Sequence, residues 1–214
     1  MLAATCCLNC LNTSLITLLI KCMIKTEDFD TIEIKSAKQL RSWLTKNHSS
    51  DQSIWLISHK KSEGSSYVSR EEVLDELISF GWIDGIRRKL DDKRTMQLIS
   101  KRRTQHWLRS YKERAVRLEK SGKMHASGLD SIKNSKALGL LDFMDDVDNL
   151  LIPDDLRKEL SQKGEALTFF ESINPSSMRF VLRWLKLSKT EKTRKSRIKK
   201  LVDLSIKGEK LPGS

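Results

Sequence analysis

The chain has 214 residues, of which 38% are hydrophobic and 32% charged, and it carries a formal net charge of +12. That length allows one large domain or two small ones with a buried core, and the charge favours anionic partners: nucleic acid, an anionic lipid surface or an acidic protein. All four cysteines, Cys6, Cys7, Cys10 and Cys22, lie in the first 22 residues, which excludes a domain built on disulfides; Cys7 and Cys10 lack the second pair of ligands that a zinc site needs.

Residues 1–28 read as a leader without order of its own, or as the product of a start assigned too early, with Met23 the expected true start. The apolar run Leu15–Ile20 is too short to span a bilayer. A secretory signal would need a basic region before it and a small-residue cleavage site after it, and neither is present. A cytoplasmic protein is the expected outcome, with the envelope or periplasm the alternative if the leader is a genuine signal.

Ser36 is placed to cap a helix over 36–47, in which Leu40, Trp43 and Leu44 recur at helical spacing. Ser53–Lys60 reads as a buried strand, and Glu63–Ser66 as a turn. Ser69 and Glu72 form a capping box ahead of a helix carrying Val73, Leu74, Leu77 and Ile78. Gly81 is the expected stop. Trp82 to Arg88 then forms a strand, Asp91-Asp92-Lys93 a turn, and Thr95–Ser100 the return strand.

Beyond Lys101 the pattern is helical throughout: 108–121, 127–138, a segment opened by Pro153, 165–173, a helix capped by Ser176 or Ser177, and a last one from Thr190 to Gly208. Asp142–Asp148 reads as an acidic linker. The expected fold is α+β: a small antiparallel sheet with helices over 29–120, an all-helical part over 123–208, a tail over 209–214, and a shared hydrophobic seam.

The densest stretch is Phe80-Gly81-Trp82-Ile83-Asp84-Gly85-Ile86-Arg87-Arg88-Lys89. On a regular strand Trp82, Asp84 and Arg88 share one face, and Arg87 lies on the other. A carboxylate among large apolar groups needs a cation or several donors. Asp84 therefore reads as one half of a structural Asp–Arg pair, or as a ligand-facing acid and the candidate catalytic residue. Arg102, Arg103, His106 and Trp107 make a second group, which Arg87 and Arg88 could approach across the hairpin. Arginine suits bidentate binding of phosphate or carboxylate, and tryptophan can cover such a ligand. Packing between the sheet and the following helix accounts for the same residues equally well. The candidate ligand-binding set is thus Trp82, Asp84, Arg87, Arg102, Arg103, His106 and Trp107.

From Arg179 to the end there are twelve Lys and Arg against three acids. Lys192, Lys195 and Lys199 line up on one helical face and could bind a polyanion, or simply form a solvated face. No aromatic residue is interleaved to stack on bases, so any nucleic-acid binding would be non-specific. The four histidines lack metal-ligand spacing, and no nucleotide- or cofactor-binding motif is present. Neither a metal nor a cofactor is expected.

Several short motifs occur in order: W-L-x-x-x-K-K from Trp55, F-G-W-I-D-G from Phe80, Arg102-Arg103 followed by Trp107, Gly122-Lys123-Met124, Ile152–Leu156, Phe170 to Ser176, Arg183-Trp184, and K-T-x-x-T-R-x-x-R-I from Lys189. Over residues 29–208 this order resembles the YdeI/OmpD-associated family, also called the bacteriocin-protection family. F-G-W-I-D-G and the Lys189 motif are the specific pieces. The spacing from Arg102-Arg103 to Trp107 is one residue shorter than in the family pattern, and two further features depart from it. Ser100-Lys101-Arg102-Arg103 stands where the family has T-P-R-R, and Leu108 and Tyr111 stand where it has W-S-x-x-N. The resemblance implies a bacterial stress-resistance factor protecting against antimicrobial peptides or bacteriocins, with no settled reaction. Binding of an anionic small ligand or an acidic protein partner is the leading expectation. The alternatives are non-specific nucleic-acid binding, or an enzyme using Asp84 with Arg87 and Arg102.

Overall fold

A computed structural model describes residues 29–213. The expectations for the leader lie outside these residues. The fold is α+β, a four-stranded sheet followed by helices. The first strand, β1 (Thr31–Ile34), leads into α1 (Ala37–Asn47), capped by the Ser36 side chain on the Gln39 amide. β2 (Ile54–His59) is followed by a 3-10 turn over Lys61–Ser66 and by α2 (Arg70–Ser79), whose Ser69–Glu72 capping box is complete. β3 (Trp82–Lys89) and β4 (Arg94–Lys101) form the hairpin.

The sheet order is β1-β2-β4-β3. It is mixed: β2, β4 and β3 are antiparallel neighbours, and β1 joins β2 in parallel through α1. One face of the sheet carries Ile54, Leu56, Ile99 and Trp82. It packs under α1 and α2 with Leu40, Leu44, Val73, Leu77 and Phe80. Gly81 ends α2 with φ +74, the left-handed region that glycine enters without steric cost.

The hairpin is not regular. Asp84 stands opposite Ile99, but Arg87 stands opposite Gln97, so two residues of β3 face one of β4. This is a β-bulge at Gly85-Ile86. It reverses the faces expected for a regular strand. Arg87 comes to the Asp84 face and donates from Nη2 to Thr95 Oγ1 at 3.0 Å. Arg88 goes to the other face and lies over the Trp55 ring at 5.3 Å. Neither approaches the second basic group, because Lys101 and the loop after it lie at the Trp82 end of the hairpin.

The helices after the sheet are α3 (Arg109–Lys120), α4 (Ala126–Ala137), a single turn α5 (Asp145–Asp148), α6 (Asp154–Ser161), α7 (Gly164–Ser172), α8 (Pro175–Lys186) and α9 (Glu191–Ile206). Asn174 caps α8 through the Ser177 amide, not Ser176 or Ser177 as the sequence suggested, because Pro175 occupies the first helical position. Pro153 is likewise the residue before its helix, not its first turn.

α3 packs over Ile78 and Trp107 with Ala115 and Leu118. α6 to α9 enclose a separate core of Leu156, Leu160, Phe170, Val181, Leu185, Ile198 and Leu201. The junction between the two parts carries ion pairs and a hydrogen bond. The acidic stretch supplies Asp145 to Lys112, Asp146 to Lys186 at 2.5 Å, and Asp148 to the Arg109 amide at 3.1 Å. Among the described residues no helix is long and apolar enough to cross a membrane.

Candidate anion-binding cleft

The loop from β4 to α3 holds the second basic group, and Arg102 organises it. Its backbone amide bonds Gly81 O at 2.9 Å, which ties the loop to the start of β3. The residue is only 8% exposed. Nη1 donates to Gln105 O at 3.2 Å and to His106 O at 3.5 Å. The guanidinium lies 4.2 Å from the Trp107 ring centroid and 5.8 Å from that of Tyr111. Burial pushes its pKa down to about 10, against the pull of Tyr111 and Asp84.

Asp84 is held from several sides. It accepts from the Tyr111 hydroxyl and from Gln97 Nε2 at 3.2 Å, and Arg70 Nη2 stands 3.8 Å from it. Its ion-pair partner is therefore Arg70, the first residue of α2, not Arg87. Burial first, then the bond to Asp84, pushes the Tyr111 phenol up to about 12. The phenol stays protonated and acts as a donor.

These groups line a cleft of about 400 Å³. Asp84, Arg102, His106 and Tyr111 come from the sheet side, and Arg183 comes from α8. His106 is half-buried and lies 5.7 Å from Phe143, ring to ring. Burial lowers its pKa, and the neighbouring Arg183 and Arg102 lower it further.

Of the candidate ligand-binding residues, the cleft brings together Asp84, Arg102 and His106. Trp82 is fully buried between the sheet and Trp43, its Nε1 donating to His48 O at 3.2 Å. Trp107 is buried beneath Arg102, in the core of α3. Arg103 points elsewhere, to Asp51 at 3.2 Å. Lys192, Lys195 and Lys199 lie on α9; Lys195 is exposed and paired to Glu191 at 2.8 Å.

The residues that sequence reasoning missed are Tyr111 and Arg183. Tyr111 was visible as a departure from the W-S-x-x-N pattern, and Arg183 as the first residue of the R-W motif. Their convergence across 72 positions was not legible. Among the described residues no group of three or more His, Cys, Asp or Glu could hold a metal ion.

Comparison with known proteins divides the chain in two. Residues 32–131, holding the sheet and F-G-W-I-D-G, match a domain of unknown function, DUF8412. No curated protein and no solved structure matches the chain. Residues 149–208, which include Arg183 and the motif from Lys189, match the family described as bacteriocin-protection, YdeI or OmpD-associated.

Proposed function

We propose that the protein is a non-catalytic resistance factor that holds a small anionic ligand in the cleft between its two parts. One observation carries this reading: Arg102 and His106 from the sheet part meet Arg183 from the family domain around one opening. Arg102 is already stripped of most of its water, so an anion entering beside it meets an under-solvated cation. Asp84 is engaged by Tyr111, Gln97 and Arg70, which limits its repulsion of such a ligand. Tyr111, protonated far above neutral pH, supports a positioning role over a basic one. The family's description suggests the cellular role, protection against bacteriocins.

The test pairs binding with phenotype. Calorimetric titration with inorganic phosphate and with succinate should show binding that weakens roughly tenfold in Arg183→Gln, the loss of about one charge-assisted contact. Bacteria expressing that variant should lose protection against a cationic peptide. Full protection from a variant that no longer binds either anion would defeat the reading.

A further inference from the structure

A second cleft, of about 600 Å³, shares Arg102 with the first but is otherwise lined by different residues. One wall is the face of α4 that carries Ser127, Asp130, Ser131 and Asn134. The opposite wall is the end of β4, with Lys101 and Arg103. Buried Phe80 and exposed Leu138 add apolar lining.

The α4 wall is seated before any ligand arrives. A Cβ on Gly81 would come within 2.7 Å of Ser131 Cβ, and one on Gly128 within 2.2 Å of Ser79 O. The His125 amide bonds Ser79 O at 3.0 Å, and Ser127 Oγ donates to Phe80 O at 3.1 Å. The helix therefore rests backbone to backbone on the end of α2. Such preorganisation removes part of the ordering cost of binding.

The two walls differ in chemistry. Lys101 and Arg103 are solvent-accessible cations that share the exposed Asp51, at 3.7 and 3.2 Å. An exposed pair of this kind contributes little, so a doubly charged phosphate competes well for both cations. The α4 wall offers hydroxyls, an amide and a carboxylate about one turn apart, a spacing suited to neighbouring hydroxyl groups. We propose that this cleft binds a phosphorylated polyol, its phosphate on Lys101 and Arg103 and its hydroxyls on Asp130, Ser131 and Asn134.

The experiment titrates the full chain with ribose 5-phosphate, inorganic phosphate and ribose. Ribose 5-phosphate should bind tightest and ribose weakest. Lys101→Gln with Arg103→Gln should weaken ribose 5-phosphate roughly a hundredfold, about tenfold for each charge-assisted contact. Ser131→Ala with Asn134→Ala should weaken it while leaving inorganic phosphate unchanged. Arg183→Gln, in the other cleft, should leave ribose 5-phosphate binding intact. Amide shifts of the wild-type chain should move at Ser131 and Asn134, a readout that needs no variant to fold. The proposal is overturned if ribose 5-phosphate binds no tighter than phosphate at millimolar concentration, if those amides stay still, or if Arg183→Gln removes the binding.

Discussion

The molecule displays its cations in two contrasting ways. On α9 most stand at the surface: Lys195 is exposed beside Glu191, and Arg194 has its own carboxylate, Asp155, at 2.5 Å, while Arg197 is partly buried over Trp184. In the loop after β4 a single guanidinium is buried against two carbonyls and two aromatic rings. α9 lies in the strongly basic stretch from Arg179 to the end, with twelve Lys and Arg against three acids, whereas Arg102 is a single cation removed from water. A charge in water is screened beyond ~8 Å at physiological salt, and a buried one much less. Net charge by itself therefore does not locate a selective anion site.

The largest difference should come from removing the buried cation. Arg102→Met is expected to lower stability by about 3 kcal/mol, because it leaves buried carbonyls without their donor and removes the stacking on Trp107. Lys195→Gln should leave the denaturant midpoint essentially unchanged, because the exposed pair with Glu191 is screened by solvent. Denaturant midpoints of the two variants, measured side by side, test the contrast, and equal losses would abolish it.

Next in size is Asp84→Asn, expected to cost roughly 1–3 kcal/mol as the charge-assisted bonds to Tyr111 and Gln97 weaken. Tyr111→Phe should cost about 1 kcal/mol. The two losses should fall short of additive in a double-mutant cycle, since both remove the same bond.

The two regions should also separate by pH. His106 and His125 have folded pKa values below 6.5, both chiefly through burial. The unfolded chain then binds more protons than the folded one, so stability is full above 6.5 and falls as pH drops towards the folded values. Asp155 and Glu191 near α9 have pKa values lowered by Arg194 and Lys195. Their contribution is present above the unfolded values of 3.8 and 4.5 and is lost only below them. Stability followed from pH 7 to 3 should fall in two windows. Replacing both histidines with asparagine should flatten the upper window alone.

Much of the framework was legible because it rests on local chemistry. Ser36, Ser69 with Glu72, Thr190 and Gly81 act within one helical turn, so sequence displays them directly. β1 escaped because four residues, Thr31–Ile34, give too little alternation to register. The cap of α8 moved to Asn174 because a proline constrains the residue before it. The cleft was legible only in pieces. Arg102 and His106 are close in sequence, but Arg70, Tyr111 and Arg183 join them through packing alone. Trp82 and Trp107 looked like ligand platforms and fill cores instead, as large aromatic side chains commonly do.

The smallest expected effect lies in the α9 cations themselves. Lys192→Gln, Lys195→Gln and Lys199→Gln together should leave the thermal midpoint nearly unchanged, since glutamine has a similar helix propensity. If these lysines do neutralise phosphates, the log–log salt slope for duplex DNA should fall in magnitude by about 0.9 for each. A titration near 0.15 M salt is the informative one. Absence of binding there at tens of micromolar protein would leave α9 as a solvated face.

The bulge at Gly85-Ile86 has a consequence for how the protein behaves at high concentration. β3 is one of the two edge strands of the sheet, and its second half leaves Ile86 56% exposed. A flat strand there would invite a second copy to pair along its unused amides and carbonyls, the first step of runaway aggregation. The extra residue bends that rim, and Arg87, Arg88 and Lys89 place mutual repulsion along it. The basic triplet would thus oppose edge-to-edge pairing of copies. Deleting Ile86 while neutralising the triplet would yield a chain that precipitates without any loss of its core.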